Sequence, residues 1–114
     1  MSNKNPSSSP YASDGEKEIF SNLLELLNNN NLGEELLTNL PLYQSRQVLM
    51  RQLFFYELYN KIINTHGVIM EFGCKWGTNL STLIALRGVL EPYNHNRTII
   101  GFDTFEGLSG VGKN

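Results

Sequence analysis

Cysteine is almost missing from this chain: Cys74 stands alone, so no internal disulfide can form and a zinc site lacks companion ligands. That usage fits a reducing compartment. A basic excess is absent as well, since 9 Lys and Arg face 11 Asp and Glu for a formal net charge of −2. Such a balance speaks against a protein that chiefly neutralises nucleic-acid phosphates, so no nucleic-acid partner is expected. There is no run of about 18 apolar residues and no basic stretch followed by an apolar one. Neither a membrane span nor a signal peptide is expected, and the expected location is cytoplasmic. No internal repeat is visible.

What is present, over 114 residues, suffices for one compact domain with a hydrophobic core. The opening "MSNKNPSSSPYA" has little to bury, and residues 1–15 read as a flexible tail. Ser13 and Glu16 have the spacing of a capping box, which predicts a helix start. Ile19, Leu23, Leu26 and Leu27 then give one apolar face, ended by the Asn run at 28–31. Gly33 reads as a breaker, with a short helix in "EELLTNL" before Pro41. Ser45 can cap a further helix over 46–65, whose apolar residues, Val48, Leu49, Leu53, Phe55, Tyr56, Tyr59, Ile62 and Ile63, span a face wide enough to be covered on two sides. Its aromatic cluster, Phe54, Phe55, Tyr56 and Tyr59, is read as core rather than as a stacking platform for a base. Residues 16–66 thus form an N-terminal helical region.

From residue 67 to 114 the pattern changes. "GVIMEF" lacks polar alternation, as expected of a parallel strand covered on both faces, and "TIIGF" at 98–102 repeats that character. Between them "TNLSTLIALRGVL" reads as a helix with Leu80, Leu83, Ile84, Leu86 and Leu90 inward, Gly88 near its end and Pro92 beyond. A strand, a helix and a strand joined by a right-handed crossover give parallel neighbours whose carboxyl ends open on one edge, where α/β sheets bind ligands. The predicted class is α/β, with N-terminal helices followed by the first β-α-β unit of an incomplete Rossmann-like sheet.

That edge collects the residues with chemistry. Glu71 ends the first strand, Gly73 permits a sharp turn or positive φ, and Gly77 leaves bare backbone at the helix start. Asp103 ends the second strand, where an acid can accept both hydroxyl protons of a ribose.

The E-x-G-x-x-x-G of Glu71 to Gly77, followed by "LRGVLEPYNHNRTIIGFDTFEGL", resembles the N-terminal part of class I S-adenosylmethionine-dependent methyltransferases. It is most similar to the sugar O-methyltransferases of the macrocin O-methyltransferase (TylF-like) family, over roughly residues 45–108. The resemblance implies S-adenosylmethionine as cofactor, with Glu71, Gly73 and Gly77 at its methionine part and Asp103 at its ribose. It also implies a small-molecule or glycan acceptor, a homo-oligomer, and in many members Mg²⁺. In the family the acceptor pocket, the catalytic base and the Mg²⁺-binding carboxylates come from later strands and loops, for which this sequence has no matching positions. The chain is therefore expected to be the amino-terminal portion of a larger enzyme and to transfer no methyl group alone. The rival reading is a non-enzymatic module that dimerises through its helical half.

Other signals are weaker. "GLSGVGKN" at 107–114 matches G-x-x-x-x-G-K only nominally, because Asn114 stands where a phosphate loop needs Ser or Thr; a nucleotide switch built on Lys113 ranks last. Gly73, Lys75 and Gly77 do not supply G-x-G-x-x-G, which disfavours NAD or FAD. Cys74 is read as a small spacer, and His66 and His95 as surface or loop residues, since no partner is fixed beside them. Trp76 and Phe105 fit either beside an adenine ring or in core packing.

Overall fold

Ser13 and Glu16 form the reciprocal pair their spacing predicts. The Glu16 N–H donates to Ser13 Oγ at 3.2 Å and the Ser13 N–H donates to Glu16 Oε2 at 3.0 Å. This opens α1, Asp14–Asn28. The structure, a computed structural model, describes residues 11–104. Most of the expected tail, Phe105 and the glycine loop with Lys113 lie outside the described residues.

The chain divides into two compact units between Leu49 and Met50. In the first, α1 ends where Asn29 and Asn30 return their N–H groups to the last turn, with Asn30 Nδ2 donating to Leu27 O at 2.6 Å. Short 3-10 turns follow, Gly33–Thr38 and Leu40–Tyr43. Arg46 Nη2 reaches Glu16 Oε1 at 3.4 Å. One expectation fails: Ile19, Leu26 and Leu27 are exposed, while Phe20 and Leu23 are only half-buried. The 3-10 turns within this unit are too short to cover a 15-residue helix.

Helix α2, Arg46–Ile62, starts where Ser45 Oγ accepts the Val48 N–H at 3.3 Å, as expected of a cap. It crosses the division between units. Coverage on two sides is not observed, because Val48, Leu49, Leu53, Phe54 and Tyr56 are exposed. Of the aromatic cluster only Tyr59 is core, at 1% exposure, and Phe55 is half-buried.

In the second unit β1, Ile69–Phe72, pairs in parallel with β2, Ile99–Phe102, and α3, Thr78–Leu90, runs between them. The register sets Ile69 against Ile99, Met70 against Ile100, Glu71 against Gly101 and Phe72 against Phe102. Alternation along each strand puts Ile69, Glu71, Ile99 and Gly101 on one face. Helix α3 covers that face: a Cβ on Gly101 would stand 2.7 Å from Cys74 Sγ and 3.0 Å from Leu80 Cδ2. Leu83 is buried and Leu80, Leu86 and Leu90 are half-buried as expected, whereas Ile84 is exposed. The expectation of strands covered on both faces is not met. Met70 is 52%, Phe72 74% and Phe102 44% exposed, all on the other face. Among the described residues the sheet stops at two strands, so part of the cover that a parallel sheet requires is absent.

The opposite end of this unit is closed by a buried polar network. Arg97 Nε donates to Glu91 Oε2 at 2.9 Å, and its Nη1 and Nη2 donate to Gly67 O, Ile62 O and Thr65 O. Tyr59 Oη donates to Glu91 Oε2 at 2.6 Å. Arg97 thus binds carbonyls at the end of α2 and before β1, sharing Ile62 O with the Thr65 N–H, while Glu91 caps α3. The Arg97 guanidinium, ahead of the opposing effect of burial, pulls the Glu91 carboxyl down to about 2. Burial and then the bond to Glu91 push the Tyr59 hydroxyl up to about 12.

Candidate cofactor site at the carboxyl rim of the sheet

The segment after β1 is a tight turn built on three left-handed residues, Gly73 at φ 78°, Lys75 at φ 51° and Gly77 at φ 79°. Glycine carries the outer two without the Cβ penalty, which roughly costs 1–2 kcal/mol for other residues. Lys75 is the non-glycine exception, and its conformation is held. Its N–H donates to Asp103 Oδ2 at 2.7 Å, and Asp103 Oδ1 accepts the Thr104 N–H at 2.7 Å. The Gly73 N–H donates to Phe102 O at 2.7 Å, so the ladder continues one residue past β1. The Gly77 N–H donates to Cys74 O at 2.8 Å and closes the turn.

These bonds bring Gly73, Gly77 and Asp103 to one rim, and Glu71 stands two residues before Gly73, within β1. In the parallel register Gly73 and Asp103 directly follow the last pair, Phe72 and Phe102, and Gly77 caps α3 beside them. Gly77 has no side-chain bond to the first N–H groups of α3, which leaves a helix start of the kind that receives anions. A Cβ on Gly73 or Gly77 would meet nothing within 4 Å among the described residues. Glu71 lies on the covered face, and its Oε2 is buried with no hydrogen-bond partner among the described residues. An orphaned carboxylate oxygen is costly unless a donor arrives, which is what the ammonium of an amino-acid ligand supplies. Asn79 Oδ1, in the first turn of α3, is a second buried acceptor without a partner among the described residues.

Asp103 has a further use for its carboxylate. It tethers the turn to β2 through two backbone donors that orient the group. Cys74 is the spacer expected: its buried Sγ lies 3.7 Å from Glu71 O and from Phe102 O. His66 and His95 are exposed. Trp76 is exposed rather than core.

Sequence reasoning missed Gly101. Its lack of a side chain admits Cys74 and Leu80 against the strand. The only hint in the sequence is a glycine inside an otherwise apolar strand, a pattern that marks close approach. Glu91 and Arg97 were missed too, because their pairing across the loop after α3 leaves no periodic trace. Among the described residues no three His, Cys, Asp or Glu gather as metal ligands. No helix among them is long and apolar enough to cross a membrane.

No protein-family model and no curated protein matches the chain. Solved structures do. The crystal structure of CalS11, a calicheamicin methyltransferase, is 45% identical with a TM-score of 0.82, over 90% of this chain and 40% of that one. The apo structure of CalS11, described as a TDP-rhamnose 3'-O-methyltransferase of calicheamicin biosynthesis, is 44% identical with a TM-score of 0.80, over 87% of this chain and 44% of that one. The chain therefore spans less than half the length of the relative it matches.

Proposed function

We propose that this chain, which carries part of a methyltransferase fold with an incomplete sheet, is the cofactor-binding portion of an S-adenosylmethionine-dependent sugar O-methyltransferase of the TylF-like kind. The observation that carries the reading is Glu71 Oε2, a buried acceptor lacking a donor among the described residues, on β1 just before the glycine turn. Glu71 would take the ammonium of the cofactor's methionine part. The N–H groups at the start of α3, beside Gly77, would take its carboxylate. Asp103 would accept the ribose hydroxyls, its orientation already set by Lys75 N and Thr104 N.

When bound, S-adenosylmethionine supplies an electrophilic methyl group on a sulfonium. The contribution of these residues is to bind and orient: with the amino-acid and ribose parts both fixed, the methyl group has one direction in which to meet an acceptor oxygen. Removal of the acceptor's proton belongs to residues beyond this rim. A sugar hydroxyl is the acceptor favoured by the relative's own reaction on TDP-rhamnose.

Isothermal titration of the purified chain with S-adenosylmethionine tests the reading. Glu71→Gln and Asp103→Asn should each weaken binding by about tenfold or more, the loss of a charge-assisted bond. Unchanged affinity in both variants would refute the assignment.

A further inference from the structure

Among the described residues two buried side-chain oxygens have no hydrogen-bond partner, Glu71 Oε2 and Asn79 Oδ1. One belongs to the sheet and the other to the helix packed on it. Glu71 is the register partner of Gly101 on the face that α3 covers. Leu80, the residue after Asn79, closes over Gly101, its Cδ2 lying 3.0 Å from where a Cβ would stand. Both oxygens therefore flank the same contact, and the left-handed turn of residues 73–77 joins them along the chain. Asn79 differs from other asparagines of the fold. Asn30, Asn39, Asn60 and Asn94 each bond backbone within four residues through the side chain. An asparagine near a helix start ordinarily does the same, which satisfies a group of that turn. Asn79 Oδ1 takes no such bond. An oxygen sealed from water without a donor is costly, and a second one beside the same turn adds to the cost. Both atoms are acceptors, so neither satisfies the other. A hydroxyl offers one donor and a phosphate dianion none, whereas a primary ammonium carries three N–H groups and can serve both.

We infer that Asn79 is a ligand-binding residue, the neutral second acceptor beside Glu71 for a primary ammonium, and that the chain keeps its oxygen unpaired at a cost to its own stability. The inference deepens the reading under Proposed function and rests on it for the ligand, whose ammonium is that of the amino-acid part of S-adenosylmethionine. Asn79 adds what Glu71 alone lacks. A lone carboxylate attracts any cation, whereas an amide oxygen on a separate element fixes a second N–H direction and with it the heading of the amino-acid part. Because both oxygens are closed to solvent in the free chain, the ammonium reaches them as the two terminal groups rotate.

The test titrates the purified chain calorimetrically with two probes. S-adenosylhomocysteine keeps the ammonium; methylthioadenosine keeps adenine and ribose but has no amino-acid part. In Asn79→Leu the affinity for S-adenosylhomocysteine should fall about tenfold or more, while that for methylthioadenosine stays within about threefold of the parent. Asn79→Asp, which retains acceptor oxygens, should bind S-adenosylhomocysteine within about threefold of the parent. Without ligand, Asn79→Leu should melt at or above the parent's temperature, since an apolar side chain replaces an oxygen that has no donor. Parent-like affinity of Asn79→Leu for S-adenosylhomocysteine would overturn the inference and leave the proposed function standing. So would equal losses for both probes, the mark of a distorted turn rather than a lost bond. A melting temperature below the parent's would overturn it too, because the oxygen would then have a partner within the chain. Failure of the parent to bind either probe or S-adenosylmethionine itself would refute the proposed function and this inference together.

Discussion

The Asp103 carboxylate accepts the backbone N–H of Lys75 at 2.7 Å, joining the end of β2 to a turn that follows β1, 28 residues earlier in the chain. One side chain therefore holds a left-handed residue in place and faces the rim proposed to receive a ribose. Asp103→Asn should raise the hydrogen-exchange rate of the Lys75 amide by about tenfold or more, a charge-assisted bond being worth roughly 1.5–3 kcal/mol. Exchange unchanged from the parent would show that the turn does not depend on this contact.

Gly101→Ala is expected to destabilise the second unit by about 1–3 kcal/mol, since the new Cβ would stand 2.7 Å from Cys74 Sγ and 3.0 Å from Leu80 Cδ2. Adding Cys74→Ala should restore part of that loss by removing the closer atom. Urea denaturation of both variants checks the pair. Two losses that simply add would mean that the contact is not what the glycine accommodates.

Arg97→Met should cost about 3–5 kcal/mol, because it strands the Glu91 carboxylate at 7% exposure with a buried charge and no cation. Pairing it with Glu91→Gln should recover much of the loss. Equal stability of the single and double variants, measured by thermal melting, would contradict the role assigned to the pair.

Two pH windows follow from the same network. Glu91 titrates at about 2 in the fold against an ordinary 4.5, so its contribution is present above 4.5 and is lost as pH falls from there toward 2. Tyr59 titrates at about 12 against an ordinary 10, so the folded state holds its proton longer, and that contribution is lost as pH rises from 10 toward 12. Melting temperature should drop at both ends, and Tyr59→Phe should flatten the alkaline drop selectively. An alkaline limb identical in Tyr59→Phe would assign it to other groups.

How much of this was readable beforehand depends on the range of each interaction. The capping box at Ser13 and Glu16, the strands around Met70 and Ile100, and α3 rest on neighbours within a few residues, and all are found. The placement of Gly73, Gly77 and Asp103 at the carboxyl ends of the strands was legible because strand, turn and helix have a fixed order in α/β sheets. Burial was not. Ile19, Leu49 and Phe54 sit at helical spacing yet are exposed, since periodicity shows which face is apolar and not whether anything covers it. Gly101 and the Glu91–Arg97 pair depend on contacts made only after folding.

The most direct test of the account is a titration of isotope-labelled chain with S-adenosylmethionine, followed by amide chemical shifts. The account predicts saturable shifts concentrated at Glu71, Gly73, Lys75, Gly77, Asn79 and Asp103, with the amides of the Tyr59, Glu91 and Arg97 network still. Shifts absent at the rim, or centred on residues away from it, would contradict the claim that this edge of the sheet is a cofactor site.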